Sequence, residues 1–440
     1  MAPPASRVQE LRRSILDQVR DFYHEAHEKK EPFVPGKNRV PYSGRVYDAQ
    51  ELVRLINAAL DFWLTLGPEG SVFEKRMTRL FGARDFALVN SGSSANLVAV
   101  SAFTSPLLER PLRPGEEVIT PAVTFPTTLA PILQNGLIPV FVDAEVGTYN
   151  IDARLIEEAL SPKTRAIVVP HTLGNPCNLN VITRLAERHG LYLLEDCCDA
   201  LGSTYGGRLV GTFGDLATLS FFPAHHMTMG EGGGVIVNHS RYLKIVKSLR
   251  DWGRDCWCEP GKSNTCGKRF DWQLGELPKG YDHKYIYSHI GYNVKPTDLQ
   301  AAIGLAQLDK LPIFAQKRKE NFNKIYGGLK PWEEFLILPR HEPEADPSWF
   351  GFPITVRAPL KRSHLVDFLE ARLIETRMVF GGNILKQPAY RDAPHRTSGS
   401  LSQSDRIMKD TFFIGVYPGL TAPMLEYVLE SFEAFFEKKI

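Results

Sequence analysis

The sequence predicts an α/β protein: a large unit built on a mostly parallel sheet, followed by a smaller α+β unit. Three observations predict this. The 440 residues exceed what one hydrophobic core supports, so two packed units are expected. Hydrophobic residues make up 43% and charged residues 23%, the balance of a folded chain. From Glu117 to Glu195 short apolar runs alternate with helical stretches, the pattern of right-handed βαβ crossovers.

In chain order, Val8 to Lys30 reads as a charged amphipathic helix and Pro32 to Tyr42 as an extended, Pro/Gly-punctuated segment. A helix over Ala49 to Leu66 ends at Gly67-Pro68. Strands are expected at Glu117–Thr120, Pro139–Val142, Ala166–Pro170 and Leu191–Glu195. Helices are expected between them at Thr127–Asn135, Ala153–Leu160 and Ile182–Gly190. A long helix covers Thr297 to Tyr326. Beyond it come a strand at Phe352–Val356 and helices at Ser363–Arg372 and Ala422–Lys438. The expected division is an N-terminal segment over 1–66, a large unit over 67–311 with an excursion near 251–290, and a small unit over 312–440.

Lysine plus arginine is 52 and aspartate plus glutamate is 50, a net charge of +2, which gives no broad electrostatic case for nucleic acid or anionic membrane. Met1 to Arg20 is charged and lacks the apolar core of a secretory signal. The most apolar stretch, Phe86 to Leu108, is interrupted by Asn90, Ser91, Ser93 and Asn96, too polar to span a bilayer. The cytoplasm is the expected location. There a disulfide framework is not expected, so the six cysteines point to metal or redox chemistry or to packing.

Three segments carry the chemistry. In Asn90-Ser91-Gly92-Ser93-Ser94-Ala95-Asn96, small residues precede a helix and leave backbone N–H groups bare for a phosphate. Alone, this segment reads more readily as an ordinary serine N-cap, favoured roughly two to one. Leu193-Leu194-Glu195-Asp196-Cys197-Cys198-Asp199 is a strand ending in acids, where ligands sit in parallel sheets. An aspartate there can keep a pyridinium nitrogen protonated. The third segment runs from Thr218 through Ser220 to His225-His226, then Met229-Gly230-Glu231-Gly232-Gly233-Gly234.

In order and spacing these segments resemble the phosphate loop, pyridine aspartate and Schiff-base loop of fold-type-I pyridoxal-phosphate enzymes. The closer resemblance is to the sugar aminotransferase family acting on nucleotide-linked keto-sugars. Thr124-Phe125, Pro139 to Asp143 and Gly291-Tyr292-Asn293 agree with it. The resemblance implies Gly92, Ser93, Ser94 and Ser220 at the cofactor phosphate, Asp196 at the ring nitrogen, Asp199 beside the cofactor and Phe125 stacked on the ring. It also implies a homodimer, with Asn293 reaching the partner's phosphate.

One departure bears on the reaction. The family's Schiff-base lysine would stand where His225 stands, and no lysine lies between Arg208 and Lys244. An imidazole cannot form the covalent imine a transaminase cycle uses, but it can act as a base near neutral pH. This replacement resembles the 3-dehydrases, which remove the C3 hydroxyl of nucleotide-linked 4-keto-6-deoxyhexoses with pyridoxamine phosphate. The spacing of Cys198, Cys256, Cys258 and Cys266 resembles the cluster motif of their iron–sulfur members, which act on CDP-4-keto-6-deoxy-D-glucose. Asp251 to Asp255, Tyr281 to Tyr285, Gly36-Lys37 and Trp63 to Thr65 extend the likeness.

Spacing alone leaves a [2Fe–2S] cluster and a structural zinc equal; the resemblance implies the cluster. Cys177 and Cys197 read as packing residues. An NAD(P)H-dependent iron–sulfur flavoprotein reductase is the implied electron donor. The segment from Cys256 to Phe270, with Arg254, Lys262, Lys268 and Arg269 against Asp255 and Glu259, is the expected docking face, or a solvated basic loop. Phe380-Gly381-Gly382-Asn383 is a candidate for the site's mouth. The alternatives are an aminotransferase, a TDP-sugar 3-dehydrase and a zinc-stabilised inactive scaffold.

Overall fold

The computed structural model describes residues 6–28, 31–256, 258 and 262–437. Helix α1 (Arg7–Tyr23) starts from a Ser6 capping box and runs into a π-turn at His24–Glu28, within the expected helix, whose residues 29–30 lie outside the described residues. Helix α2 (Ala49–Asp61) is capped by Asp48 and Glu51 and stops where Phe62 turns left-handed. Helix α3 (Pro68–Phe81) was not expected. Its first turn is held by Asp298, whose carboxylate accepts the N–H groups of Gly67 and Gly70 at 2.8 Å.

The large sheet uses β1 (Asp85–Val89), β2 (Glu117–Pro121), β3 (Ile138–Val142), β4 (Thr164–Pro170) and β5 (Tyr192–Asp196). Between them lie α4 (Gly92–Phe103), α5 (Pro126–Gln134) and α6 (Leu179–His189). A short hairpin, β6 (Thr204–Tyr205) and β7 (Arg208–Leu209), precedes β8 (Leu216–Ser220), β9 (Gly233–Val237) and α7 (Leu243–Arg250). Helix α8 (Asp298–Leu329) leads to β10 (Leu336–Ile337), β11 (Ala345–Asp346), β12 (Gly351–Val356) and α9 (Arg362–Ala371). The chain ends with β13 (Arg396–Thr397), α10 (Ser402–Asp410), β14 (Thr411–Gly415) and α11 (Ala422–Glu437).

The sheet order is β1-β9-β8-β5-β4-β2-β3-β13. Only β9 runs against the rest, pairing antiparallel with both β1 and β8. Its glycines allow a close approach: a Cβ on Gly233 would meet the Ser91 carbonyl oxygen at 2.3 Å, so the strand lies directly on the turn that opens α4. One face of the sheet packs Val98, Phe103, Leu129 and Val246. The other packs Phe73, Phe221 and Leu305 beside Ile156, Ile182 and Val169. A separate core of Phe322, Ile325, Phe352, Phe412 and Phe432 covers the three-stranded sheet β10-β12-β14.

One expected element changes. The helix expected at Ala153–Leu160 is a pair of 3₁₀ turns, Ala153–Leu155 and Glu157–Ala159. Ala153, Ile156 and Ala159 are all buried, and a spacing of three suits three residues per turn. The boundary expected at Pro312 falls inside α8, which is continuous and supplies Leu305 to one core and Ile325 to the other. No described helix is long and apolar enough to cross a membrane.

Candidate active site at the sheet's carboxyl edge

A cavity of 890 Å³ opens beside the carboxyl ends of β4, β5 and β8 and the start of α4. It brings together Gly92, Ser93, Phe125, Asp196, Ser220 and His225. The start of α4 is a cradle. Ser91 caps it by accepting the Ser94 N–H at 3.1 Å, which commits Ser94 to the cap and leaves the N–H groups of Gly92 and Ser93 for an anion. A Cβ on Gly92 would stand 2.6 Å from the Ser220 Cβ and 2.9 Å from the Cys198 sulfur, so only glycine keeps this wall open. Phe125 sits half exposed at the start of α5, its ring edge-on to Phe380 at 6.1 Å.

Asp196 ends β5 and is buried. Its carboxylate accepts from the Asn96 amide at 2.8 Å, the Thr128 hydroxyl at 2.7 Å and the Cys198 N–H at 3.1 Å. Thr218 in turn donates to Asn96 at 2.7 Å. Four elements thus aim one acid, which is what a protonated pyridine nitrogen needs. The sequence marked Asp196 as a strand-end acid. Asn96, Thr128 and Thr218 were missed as its holders; polar residues in otherwise apolar helices and strands were the available signal.

His225 lies in the loop after β8, its side chain 16% exposed. Its Nδ1 is 3.2 Å from Oδ1 of Asp199, and its ring lies 5.5 Å from that of Phe350. Asp199 therefore pairs with His225 within the cavity rather than facing it alone. Among the described residues lining this cavity there is no lysine. Phe380 and Gly381 do line its mouth. Asn383 does not serve it: it is buried, donates to Asp405 at 2.6 Å and caps the next turn. Asn293 is exposed and pairs its backbone with Asp251, away from this chain's own cavity.

The four thiols expected to share a cluster are divided. Cys198 lines the cofactor cavity, half-buried, where desolvation and then Asp196 push its thiol up. Cys256 and Cys258 line a different hollow of 560 Å³ with Arg250, Trp252 and Lys295. Cys258 accepts from the Thr265 hydroxyl at 3.1 Å, and Cys266 from the Lys268 N–H at 3.4 Å. Burial raises the Cys256 thiol; at Cys258 burial is the largest single effect, but Thr265, Cys256 and Lys284 together outweigh it and the thiol is lowered. Among the described residues, the set of three or more potential ligand atoms within 4.8 Å of one another is His171, Glu195 and Cys197, not these thiols. In this structure the four thiols are therefore not gathered within 4.8 Å of one another. Nor is the neighbouring loop freely basic: Arg269 is paired with Asp282 at 2.8 Å, and Glu259 lies outside the described residues. Cys177 and Cys197 are buried packing residues, as expected.

A large, mostly parallel sheet, a glycine cradle at a helix start and a strand-end aspartate define the pyridoxal-phosphate-dependent aminotransferase fold. Residues 46–433 match the DegT/DnrJ/EryC1/StrS aminotransferase family, and the chain belongs to it. It is 53% identical over 429 residues to the lipopolysaccharide biosynthesis protein RfbH of Salmonella typhimurium, covering 97% of this chain and 98% of that one. It is 51% identical to a dTDP-4-dehydro-2,6-dideoxy-D-glucose 3-dehydratase of Saccharopolyspora spinosa, covering 99% and 95%. An Escherichia coli GDP-4-keto-6-deoxy-D-mannose-3-dehydratase with bound hydrated pyridoxal phosphate superimposes with a TM-score of 0.78 at 28% identity, covering 90% and 99%.

Proposed function

We propose that this chain is a 3-dehydratase of a nucleotide-linked 4-keto-6-deoxyhexose, working with non-covalently held pyridoxamine phosphate. One observation carries the reading: the cavity presents an imidazole, His225, and no lysine among its described lining. The residues fit the cofactor. Gly92 and Ser93 offer N–H groups and Ser220 a hydroxyl to its phosphate, Asp196 an acceptor to its ring nitrogen, and Phe125 a face to its ring. When bound, the group supplies an electron sink. His225 takes a proton from the cofactor's C4′ carbon as the C3 hydroxyl leaves. Phe350, buried, and Phe222, half exposed, lie beside the imidazole.

Deoxygenation at C3 also takes two electrons from outside, and an NAD(P)H-dependent iron–sulfur flavoprotein reductase is the proposed donor. Cys256, Cys258 and Cys266, neighbours in the excursion, are the thiols proposed to meet a [2Fe–2S] group, and no step is carried through it. A homodimer, with Asn293 facing the partner, completes the proposal. CDP-4-keto-6-deoxy-D-glucose is the proposed substrate, because the motif likeness spans the whole chain. Anaerobic incubation with pyridoxamine phosphate, such a reductase with NADH, and CDP-, dTDP- or GDP-linked 4-keto-6-deoxyhexoses tests it. Loss of the C3 hydroxyl from the CDP sugar is expected. Transfer of the amine to C4, giving a stable amino sugar with its C3 hydroxyl, would show an aminotransferase instead.

A further inference from the structure

The proposed reaction uses one nitrogen of His225, and the structure gives the other a partner. Nδ1 lies 3.2 Å from Asp199 Oδ1, between side chains only 16% and 11% exposed. Among the described residues, Nδ1 and the second Asp199 oxygen are buried and make no hydrogen bond, so Asp199 at ion-pair distance is the partner on hand for Nδ1. Behind them stands Arg318, a fully buried guanidinium. It donates to the carbonyls of Trp349 and Phe350 at 3.2 Å and to that of His225 itself at 3.3 Å. Burial pushes Arg318 down to about 10, and Asp199 is the charge that opposes this.

Two other ionisable groups lie behind the ring, and Asp199 is the acid paired with it. His226 is buried and pushed down, first by burial and then by Arg318, and its Nε2 meets the Ser348 carbonyl at 2.6 Å. Arg45 shares the small hollow behind His225 with Arg318.

A carboxylate at one imidazole nitrogen decides which tautomer is present and how the ring is turned. We propose that Asp199 is a positioning residue: it accepts the Nδ1–H of His225, so that Nε2 keeps a bare lone pair for the cavity, while Arg318 fixes the His225 backbone from behind. When Nε2 takes a proton the ring becomes an imidazolium beside a carboxylate, and that charge pair favours the transfer. Asp199 thus acts through His225. This role rests on His225 being the base.

The test is ¹⁵N-histidine NMR of the full-length protein, with and without pyridoxamine phosphate, at about pH 9, where an ordinary imidazole is neutral. The His225 signals are assigned by their loss in His225→Asn. The wild type should show a protonated Nδ1 and a bare Nε2; Asp199→Asn should mix or reverse the tautomers, and Asp199→Glu should restore them. Hydrogen exchange at C4′ should fall about 100-fold in Asp199→Asn, with pyridoxamine phosphate still bound. A wild-type ring protonated at Nε2 overturns the positioning role without any variant having to fold. So does an Asp199→Asn protein that keeps both tautomer and exchange rate. If His225→Asn itself exchanges at the wild-type rate, the proposed function fails instead, whatever the tautomer.

Discussion

The cofactor cavity and the excursion after α7 both concentrate reactive side chains, and they are built in opposite ways. In the cavity, Asp196 is fixed by donors from α4, α5 and the end of β5, and Gly92 is wedged between Ser220 and Cys198. Between Asp251 and Lys295 the described residues hold one 3₁₀ turn, His283–Tyr285, and two isolated bridges, Asp251 with Asn293 and Arg254 with Tyr287. Local pairs stand in for a sheet there: Trp272 stacked on His283 at 4.9 Å, and His283 on Asp255 at 3.1 Å. The difference teaches where each chemistry can live. Proton transfer at a chosen carbon needs sub-ångström placement, which strand ends supply. A loop of pairwise contacts suits a group that brings its own geometry or a partner that docks on it.

Changes in the cavity should therefore cost function or fold, and changes in the excursion should cost neither cofactor nor fold. The largest effect is expected from His225→Lys: with added pyridoxal phosphate and borohydride, mass spectrometry should find a covalent lysine adduct at position 225 that the wild type lacks. An adduct on the wild type would remove the distinction from aminotransferases. Next is Asp196→Ala, which leaves the buried Asn96 amide and Thr128 hydroxyl without their acceptor, at roughly 1–3 kcal/mol each. Its melting temperature should fall and pyridoxamine phosphate should no longer bind; an unchanged melt would show the acid is not held as described.

Smaller is Gly92→Ala, whose Cβ has 2.6 Å to the Ser220 Cβ. Pyridoxamine phosphate affinity should drop roughly tenfold, about 1.4 kcal/mol, in a fluorescence titration. Smallest on the fold is Cys258→Ser, with melting within about 0.5 kcal/mol of wild type and cofactor affinity unchanged. Iron and zinc analysis sharpens the contrast. Any metal should be retained in Cys198→Ser and lost in Cys258→Ser, and equal loss in both would show that the four thiols converge.

The legible parts of the molecule were those where chemistry and local pattern coincide. Glycine and serine before a helix, an acid ending an apolar run, and a histidine in a lysine's place all carried their meaning in sequence. β1, β8 and β9 were missed because β9 opens with Gly233 and Gly234, which read as loop until the close packing on Ser91 is seen. The Asp199–His225–Arg318 grouping joins a strand end, a loop and the middle of α8, and no periodicity links residues so far apart. Cysteine spacing gave a count of ligands but not their positions: Cys198 is carried by β5 and the other three by the excursion, and only tertiary structure says how far apart those elements lie.

The account stands or falls on His225, and hydrogen exchange at C4′ of bound pyridoxamine phosphate tests it most directly. With substrate present in D₂O, wild-type protein should exchange that hydrogen, and His225→Asn should lose exchange by roughly 10²–10⁴-fold while still binding pyridoxamine phosphate. Exchange at the wild-type rate in His225→Asn would contradict it.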